Sequence, residues 1–295
     1  HMSEQAIKKI LITGANGFIG GSLMRYYQNQ GQDVVGVDLV SNGDDIVEGD
    51  ISQPDSISQL LTESDVIIHT AALVSNAMQD SDMWRVNVLA TRNLIQAAKE
   101  HSVRRFVQIS SIVAYGNSAK GEIDETHPVH ADGGSYVLTK LASEHVVLSE
   151  QASDDIEVVI IRPGDAYGPG SRPWIIAPLE AIAKNQFMLP EKGEGFFRPI
   201  YIDDLVRGIA MASRHPDAAG EIFNLSCEGY MFTKDYFTPH YQWLGKKGPL
   251  AVSTKLALRI SAMASKVADL MGNLNEASPS TVKQLSTKSW FSIKK

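Results

Sequence analysis

Residues 135–140 read Ser-Tyr-Val-Leu-Thr-Lys, which sets Tyr136 four positions before Lys140. On a helix that spacing puts both side chains on one face, a turn apart. A phenol with an ordinary pKa near 10 is a poor base at neutral pH, and a neighbouring ammonium favours the phenolate. Such a pair can take a proton from an alcohol or return one to a ketone oxygen. A lone Tyr-x-x-x-Lys match is common on plain surface helices, so its meaning rests on its surroundings. Upstream, "QISSIVAYG" ends an apolar run with Ser110 and Ser111. Strand neighbours alternate faces, so one of the two hydroxyls can join the pair.

A second chemical feature lies near the start of the chain. "TGANGFIG" places Gly14, Gly17 and Gly20 between an apolar run and a helical stretch. Free N–H groups of such a loop and the following helix N-terminus hold a pyrophosphate. Gly14 permits the tight turn, Gly17 close approach of phosphates, and Gly20 close packing of helix on strand. Asn16, Phe18 and Ile19 complete the set expected at the nucleotide. Asp38, at the end of the next apolar run, can accept hydrogen bonds from both ribose hydroxyls and would repel a 2′-phosphate. No arginine follows it in "DLVSNGDD", so NAD is expected rather than NADP.

These groups need a rigid frame. "KKILIT", "DVVGVDL" (33–39), "DVIIHTAA" (65–72), "RFVQISS" (105–111) and "EVVIIRP" (157–163) are continuous β-branched runs, the mark of strands buried on both faces. Helical stretches at 19–29, 82–101 and 135–150 alternate with them. The second presents Val86, Leu89, Leu94 and Ala97 as its apolar side. The pattern predicts an α/β doubly wound parallel sheet of Rossmann type. Beyond Pro163, "GDAYGPGSRP" reads as loop, 175–186 as helix, and "IYIDDL" (200–205) and "EIFNLS" (221–226) as strands returning to the sheet. Residues 3–163, rejoined by 199–226, are the expected nucleotide domain. Residues 164–198 and 227–295 are the expected substrate lobe. A 3.6-period stripe of Val252, Leu256, Ile260, Met263, Val267 and Leu270 predicts a helix over about 251–272, packed on its own domain or else covering an apolar substrate or membrane surface.

Composition narrows the classes. A net charge of −7 and a pI of 5.6 leave no basic excess for phosphate backbones, which argues against a nucleic-acid partner. One cysteine, Cys227, among 295 residues excludes an internal disulfide framework and suits a reducing cytoplasm. The eight histidines show no ligand spacing, so no metal is expected. His127 and His130 in "ETHPVH" read as solvated loop, and His69 as a backbone-supporting histidine. No apolar run reaches the length needed to span a bilayer. His1 and Met2 read as a cloning remnant, with no signal peptide behind them.

Six motifs in order now carry a resemblance: the glycine loop, "GDI" (49–51), "HTAA" (69–72), "ISS" before "AYG", Tyr136-x-x-x-Lys140, and "RPGDAYGPG". Over residues 8 to 230 the chain resembles the extended short-chain dehydrogenase/reductases, also called the NAD-dependent epimerase/dehydratase family. The resemblance implies NAD across the strand ends, with Asp50 and Ile51 near the adenine and Ala71 and Ala72 near the dinucleotide. It implies that Asn87 supports the active-site backbone and that Pro163 and Gly164 lie beside the nicotinamide. The family position of the catalytic hydroxyl falls on Ser111, with Ser110 beside it at the cofactor. Lys140 is implied to bond the nicotinamide ribose, and the positive ring to favour the Tyr136 phenolate further. Relatives suggest a homodimer paired through the 82–101 and 135–150 helices. The family usually continues beyond a segment like "FSIKK", so a terminal helix is expected to be missing.

The substrate is less constrained. In sugar-nucleotide members an arginine four residues before the aromatic of a "YVDD"-like segment binds substrate phosphate. Here Phe197 holds that position before Tyr201, and Arg198 is displaced by one. "GSRPWIIAP" offers Trp174, Ile175 and Ile176 where a nucleotide-binding asparagine is usual. The branch resembled most is that of the 3β-hydroxysteroid dehydrogenases and β-hydroxy/β-keto acid oxidoreductases, which implies an apolar small-molecule substrate. Leu73, Tyr167, Trp174, Phe197 and Arg198 are the substrate-side candidates, with packing of the small lobe as the alternative for the aromatics. A sugar-nucleotide epimerase or dehydratase, and a non-catalytic nucleotide sensor, are the competing functions.

Overall fold

The computed structural model describes residues 7–43, 45–74, 80–132, 134–270 and 278–295, the side chains of 267–270 excepted. Seven parallel strands form the main sheet in the order β11-β7-β5-β4-β1-β2-β3. They are β1 (Lys9–Thr13), β2 (Asp33–Asp38), β3 (Ile46–Glu48), β4 (Val66–His69), β5 (Arg105–Ile109), β7 (Glu157–Pro163) and β11 (Ile222–Leu225). Helices cover both faces, and alternate residues of each strand feed the two cores. Ile10 and Ile12 of β1 pack with Leu23, Met24 and Tyr27 of α1 (Phe18–Asn29), and with Leu205, Val206 and Ile209 of α7 (Ile202–Arg214). Leu11, Ile67 and Phe106 face Leu94, Ile95 and Ala98 of α4 (Thr91–Glu100), and Val147 of α5 (Ser135–Gln151). Strand order reverses between β1 and β4, and the crevice at their carboxyl ends is where such sheets take ligands.

The remaining strands pair in twos. β6 (Lys120–Ile123) pairs with β13 (Lys288–Phe291), β8 (Asp165–Tyr167) with β10 (Pro199–Tyr201), and β9 (Phe196–Phe197) with β12 (Met231–Phe232). Around them lie α6 (Ala177–Ala183), α8 (Thr233–Trp243), α9 (Thr254–Leu270) and α10 (Pro279–Leu285), while α2 (Ser58–Glu63) and α3 (Asp80–Trp84) belong to the nucleotide side. Leu189, Phe197, Tyr236, Phe237 and Leu285 form a separate buried cluster among these elements.

Three local expectations are corrected. "IYIDDL" is strand only as far as Tyr201. Helix α7 starts at Ile202 with Asp203 and Asp204 in its first turn, where carboxylates favour helix. A π-helical turn, Arg85–Ala90, separates α3 from α4. Its i→i+5 bonding adds a residue and rotates the face, so Asn87 and Val88 point inward while Leu89 is 51% exposed. Helix α9 is not packed on its apolar stripe. Ala257 and Ser261 are buried, whereas Leu256, Ile260 and Met263 are exposed. The side chains of Val267 and Leu270, like residues 3–6 of the expected nucleotide domain, lie outside the described residues.

Candidate active site

The glycine loop leaves β1 and turns into α1 with no side chain in the way. Gly14 has φ +69°, and a Cβ there would meet the Ala71 backbone at 2.8 Å. Helix α1 has Gly17 at its N-cap, no capping side chain and no acidic residue in its first turn. The first-turn N–H groups at Phe18, Ile19 and Gly20 are thus left for an anion. The Asp38 carboxylate closes the far side, accepting from the Asn16 N–H at 2.9 Å and the Leu39 N–H at 2.8 Å. The Asn16 side chain ties Val40 at 2.7 Å. Asp50 accepts from the Ser52 N–H at 2.8 Å, and Ile51 is largely buried in the core against that turn. Ala71 and Ala72 follow β4 directly across the crevice. A side-chain-free cradle, an uncapped helix end and a strand-end carboxylate are the donors and acceptors a dinucleotide needs, so these residues fit NAD.

At the next strand end the two serines separate as alternation requires. Ser111 caps the 3-10 turn Ile112–Tyr115, its hydroxyl accepting from the Val113 N–H at 3.3 Å, and it is the side chain that acts on the Tyr136 phenol. Ser110 is turned away. Its hydroxyl donates to Glu144 Oε1 at 2.5 Å and its N–H to the Ile161 carbonyl at 2.8 Å. Its expected place at the cofactor is therefore corrected for the side chain, which α5 holds instead. Lys140 is buried, with Nζ donating to the Ile109 carbonyl at 3.1 Å. Burial pushes its ammonium down to about 8, opposed by Glu144. Burial also pushes the half-buried Tyr136 up to about 12, with the nearby Ser111 hydroxyl opposing. A phenolate favoured by Lys140 is thus not met in the protein alone, because the ammonium is directed at Ile109.

Supporting residues fix the rim. Asn87 accepts from the Leu73 N–H at 2.7 Å and donates to the Leu73 carbonyl at 3.0 Å and Thr139 Oγ1 at 3.2 Å. It holds the loop after β4 against α5 rather than reaching outward. Pro163 ends β7, and a Cβ on Gly164 would meet the Arg198 carbonyl at 2.6 Å. His69 bridges Thr13 Oγ1 at 2.7 Å and Thr91 Oγ1 at 2.8 Å. Thr91 donates to the Asn87 carbonyl, so it accepts from His69 Nε2–H, and Nδ1 accepts from Thr13. The histidine supports side chains rather than the backbone directly. Burial, then the Lys140 ammonium, pushes it down to about 3. The unfolded chain binds a proton here at a value near 6.5, so stability is complete above that pH and falls as pH drops from 6.5 towards 3. The slope is about 1.4 kcal/mol per pH unit. Urea unfolding across that window should show it, and His69→Gln should flatten it.

On the substrate side the candidates divide. Leu73, Tyr167 and Trp174 are half-buried, the two aromatics packing against the cluster of Leu189, Phe197, Tyr236, Phe237 and Leu285. Tyr167 packs edge-on to Tyr201 and Tyr236, and Trp174 edge-on to Phe197. Phe197, 1% exposed and stacked on Tyr236, is core and not a substrate contact. Arg198 is likewise corrected. It is 4% exposed, and Nε donates to Asp165 at 3.1 Å and Nη1 to Thr287 at 2.5 Å. Sequence reasoning missed Glu144 and Arg162, a buried pair at 2.6 Å. The visible signal was a carboxylate four residues after Lys140.

The profile of the NAD dependent epimerase/dehydratase family matches residues 10–226. A 2-alkyl-3-oxoalkanoate reductase of Stenotrophomonas maltophilia is 25% identical over 97% of the chain and 91% of that protein. A 3 beta-hydroxysteroid dehydrogenase/Delta 5-->4-isomerase of Mycobacterium tuberculosis is 27% identical over 82% of the chain and 70% of that protein. The solved structure of MoeE5 in complex with UDP-glucose and NAD superposes with a TM-score of 0.74 at 26% identity, covering 83% of this chain and 84% of that one. Sugar-nucleotide epimerases and dehydratases also stand among the relatives. The chain belongs to the NAD dependent epimerase/dehydratase family, and its cofactor is NAD.

Proposed function

We propose that the protein interconverts a secondary alcohol and a ketone on an apolar substrate, steroid-like or of the β-hydroxy/β-keto type. Ser111 and Tyr136 hold the substrate oxygen, Tyr136 takes its proton in oxidation and returns one in reduction, and Lys140 holds the ribose side. Bound NAD supplies the hydride acceptor and a positive ring that favours the phenolate. The phenol near 12 makes that help necessary for the oxidative direction.

The observation carrying the apolar reading is the burial of Arg198. Its guanidinium is paired with Asp165 and lies 5.6 Å over the Phe291 ring, so it is not free for a substrate pyrophosphate. Half-buried Leu73, Tyr167 and Trp174 offer apolar contact instead. The end-to-end likeness to the 3-oxoalkanoate reductase includes the C-terminal lobe, which supports a ketone of that kind. Exposed Trp84, Leu89 and Leu138 support a homodimer paired through the α3–α4 and α5 helices. No helix among the described residues is long and apolar enough to cross a membrane. The single cysteine, Cys227, supports placing the enzyme in a reducing cytoplasm.

Purified protein with NAD should reduce the cofactor in the presence of a 3β-hydroxysteroid or a long-chain 3-hydroxy acid, read by absorbance. UDP-glucose should give neither net reduction nor product. An altered sugar nucleotide formed without net reduction would instead establish the epimerase or dehydratase chemistry. NADP should support a lower rate than NAD because Asp38 faces the ribose site.

A further inference from the structure

The groups already assigned leave one buried cluster unused. Tyr136, Lys140 and Glu144 recur every fourth residue along α5, so they line one face of the helix. Glu144 is 1% exposed. Its Oε1 accepts from Ser110 at 2.5 Å and from Arg162 Nε at 3.0 Å, and its Oε2 from Arg162 Nη2 at 2.6 Å. Ser110 precedes Ser111, and Arg162 precedes Pro163 and Gly164. One carboxylate therefore joins the helix of Tyr136 and Lys140 to the strand end bearing the catalytic hydroxyl and to the strand end beside the nicotinamide site.

We propose that Glu144 is a positioning residue for the reaction, holding the β5 and β7 ends at the spacing that sets Ser111 against Tyr136. This rests on the reading of Ser111, Tyr136 and Lys140 as the reacting set. The grip on β5 is double, since Lys140 bonds the Ile109 carbonyl one residue before Ser110. Arg162 is fixed in turn. Its guanidinium lies 4.6 Å over the Tyr115 ring, and the Tyr115 hydroxyl donates to Asn224 Oδ1 at 2.8 Å. Arg162 Nη1 is buried with no hydrogen-bond partner among the described residues. An ion pair serving stability alone would gain from completing that set, because buried pairs are often no better than apolar replacements. The carboxylate also acts on Lys140 through space. Lys140 has Tyr136 and Glu144 one turn away on either side along α5, neutral His69 coupled to it from β4, and Arg162 of β7 paired to Glu144. Glu144 opposes the loss of the ammonium's proton that burial promotes.

Two variants separate positioning from scaffolding. Ser110→Ala removes one hydroxyl and leaves the Glu144–Arg162 pair intact. It should keep its melting temperature within a few degrees and its NAD affinity within about threefold, while kcat falls about tenfold at little-changed KM, the signature of a misplaced reacting group. Glu144→Gln removes the charge, and NMR titration should find Lys140 losing its proton at lower pH than in the wild type. Wild-type kcat in Ser110→Ala, or an unmoved Lys140 titration in folded Glu144→Gln, overturns the proposal. If Glu144→Gln does not fold, Ser110→Ala decides alone. Tyr136→Phe is the control: full activity there sinks the reacting set itself, whereas an inactive Tyr136→Phe beside a fully active Ser110→Ala sinks only the role of Glu144.

Discussion

Replacing Tyr136 by phenylalanine is expected to lower kcat about 10³-fold, within the range that general acid–base catalysis supplies, while NAD affinity changes less than about threefold. The substitution keeps the ring and removes only the hydroxyl on which Ser111 acts. It deletes no charge and no buried ion pair, so the melting temperature should move by only a few degrees. The pH dependence sharpens the test. The phenol of the protein alone stands at about 12, so alcohol oxidation, which needs it deprotonated, rises with pH across the neutral range. Ketone reduction, which needs the proton, does not. Above about 8 Lys140 loses its own charge, and its support of the ribose side and the phenolate declines. Isothermal titration for NAD and steady-state rates in both directions, for wild type and variant, separate these contributions. Residual activity equal to wild type would mean that another group carries the proton.

The parts of this site that could be read from the sequence are those whose meaning is local. Glycines at a strand–helix junction, a tyrosine and lysine on one helical face, and paired serines at a strand end are each weak alone, and their order along the chain gives them their chemistry. The parallel strands were legible for a related reason: burial on both faces enforces unbroken β-branched runs such as "VVII" in β7. What could not be read depends on neighbours distant in sequence. Arg198 looks like a substrate ligand until β8 brings Asp165 and the C-terminal segment brings Thr287 beneath it. Glu144 looks like a helix-surface carboxylate until β5 and β7 prove adjacent. The π-helical turn at Arg85–Ala90 shifts the inward face by a residue, which no count of apolar positions at a 3.6 period reveals. Helix α9 has the periodicity of a packed helix, yet its small residues face inward and its large ones outward. Periodicity reports that one face is apolar and says nothing of what it meets.

Gly20→Ala should be the most damaging change in the cofactor cradle, and its neighbour Gly21→Ala should be nearly silent. Both glycines lie in the first turns of α1, where alanine is intrinsically better by about 1 kcal/mol. At Gly21 the added Cβ would meet the Ala15 carbonyl at 3.3 Å and the end of the Arg25 side chain at 3.6 Å, a contact that a small shift relieves. At Gly20 it would lie 2.1 Å from the Gly14 carbonyl oxygen and 2.9 Å from Thr70 Oγ1. The nearest obstacle is backbone, and that same carbonyl accepts the Gly17 N–H at 2.9 Å, so it cannot swing aside without opening the loop. Helix α1 must retreat from β1. Overpacking of this kind costs about 1–3 kcal/mol, which exceeds the propensity gain and should lower the melting temperature. The loss of NAD affinity should be larger than the loss of stability. Anion binding at a helix end depends on where its N–H groups point, and a displaced α1 no longer presents Phe18 and Ile19 beside Gly14 and Gly17. A dissociation constant raised about 30-fold, roughly 2 kcal/mol, is expected by calorimetry for Gly20→Ala, against less than about threefold for Gly21→Ala. Equal affinities in the two variants would place the dinucleotide somewhere other than this loop.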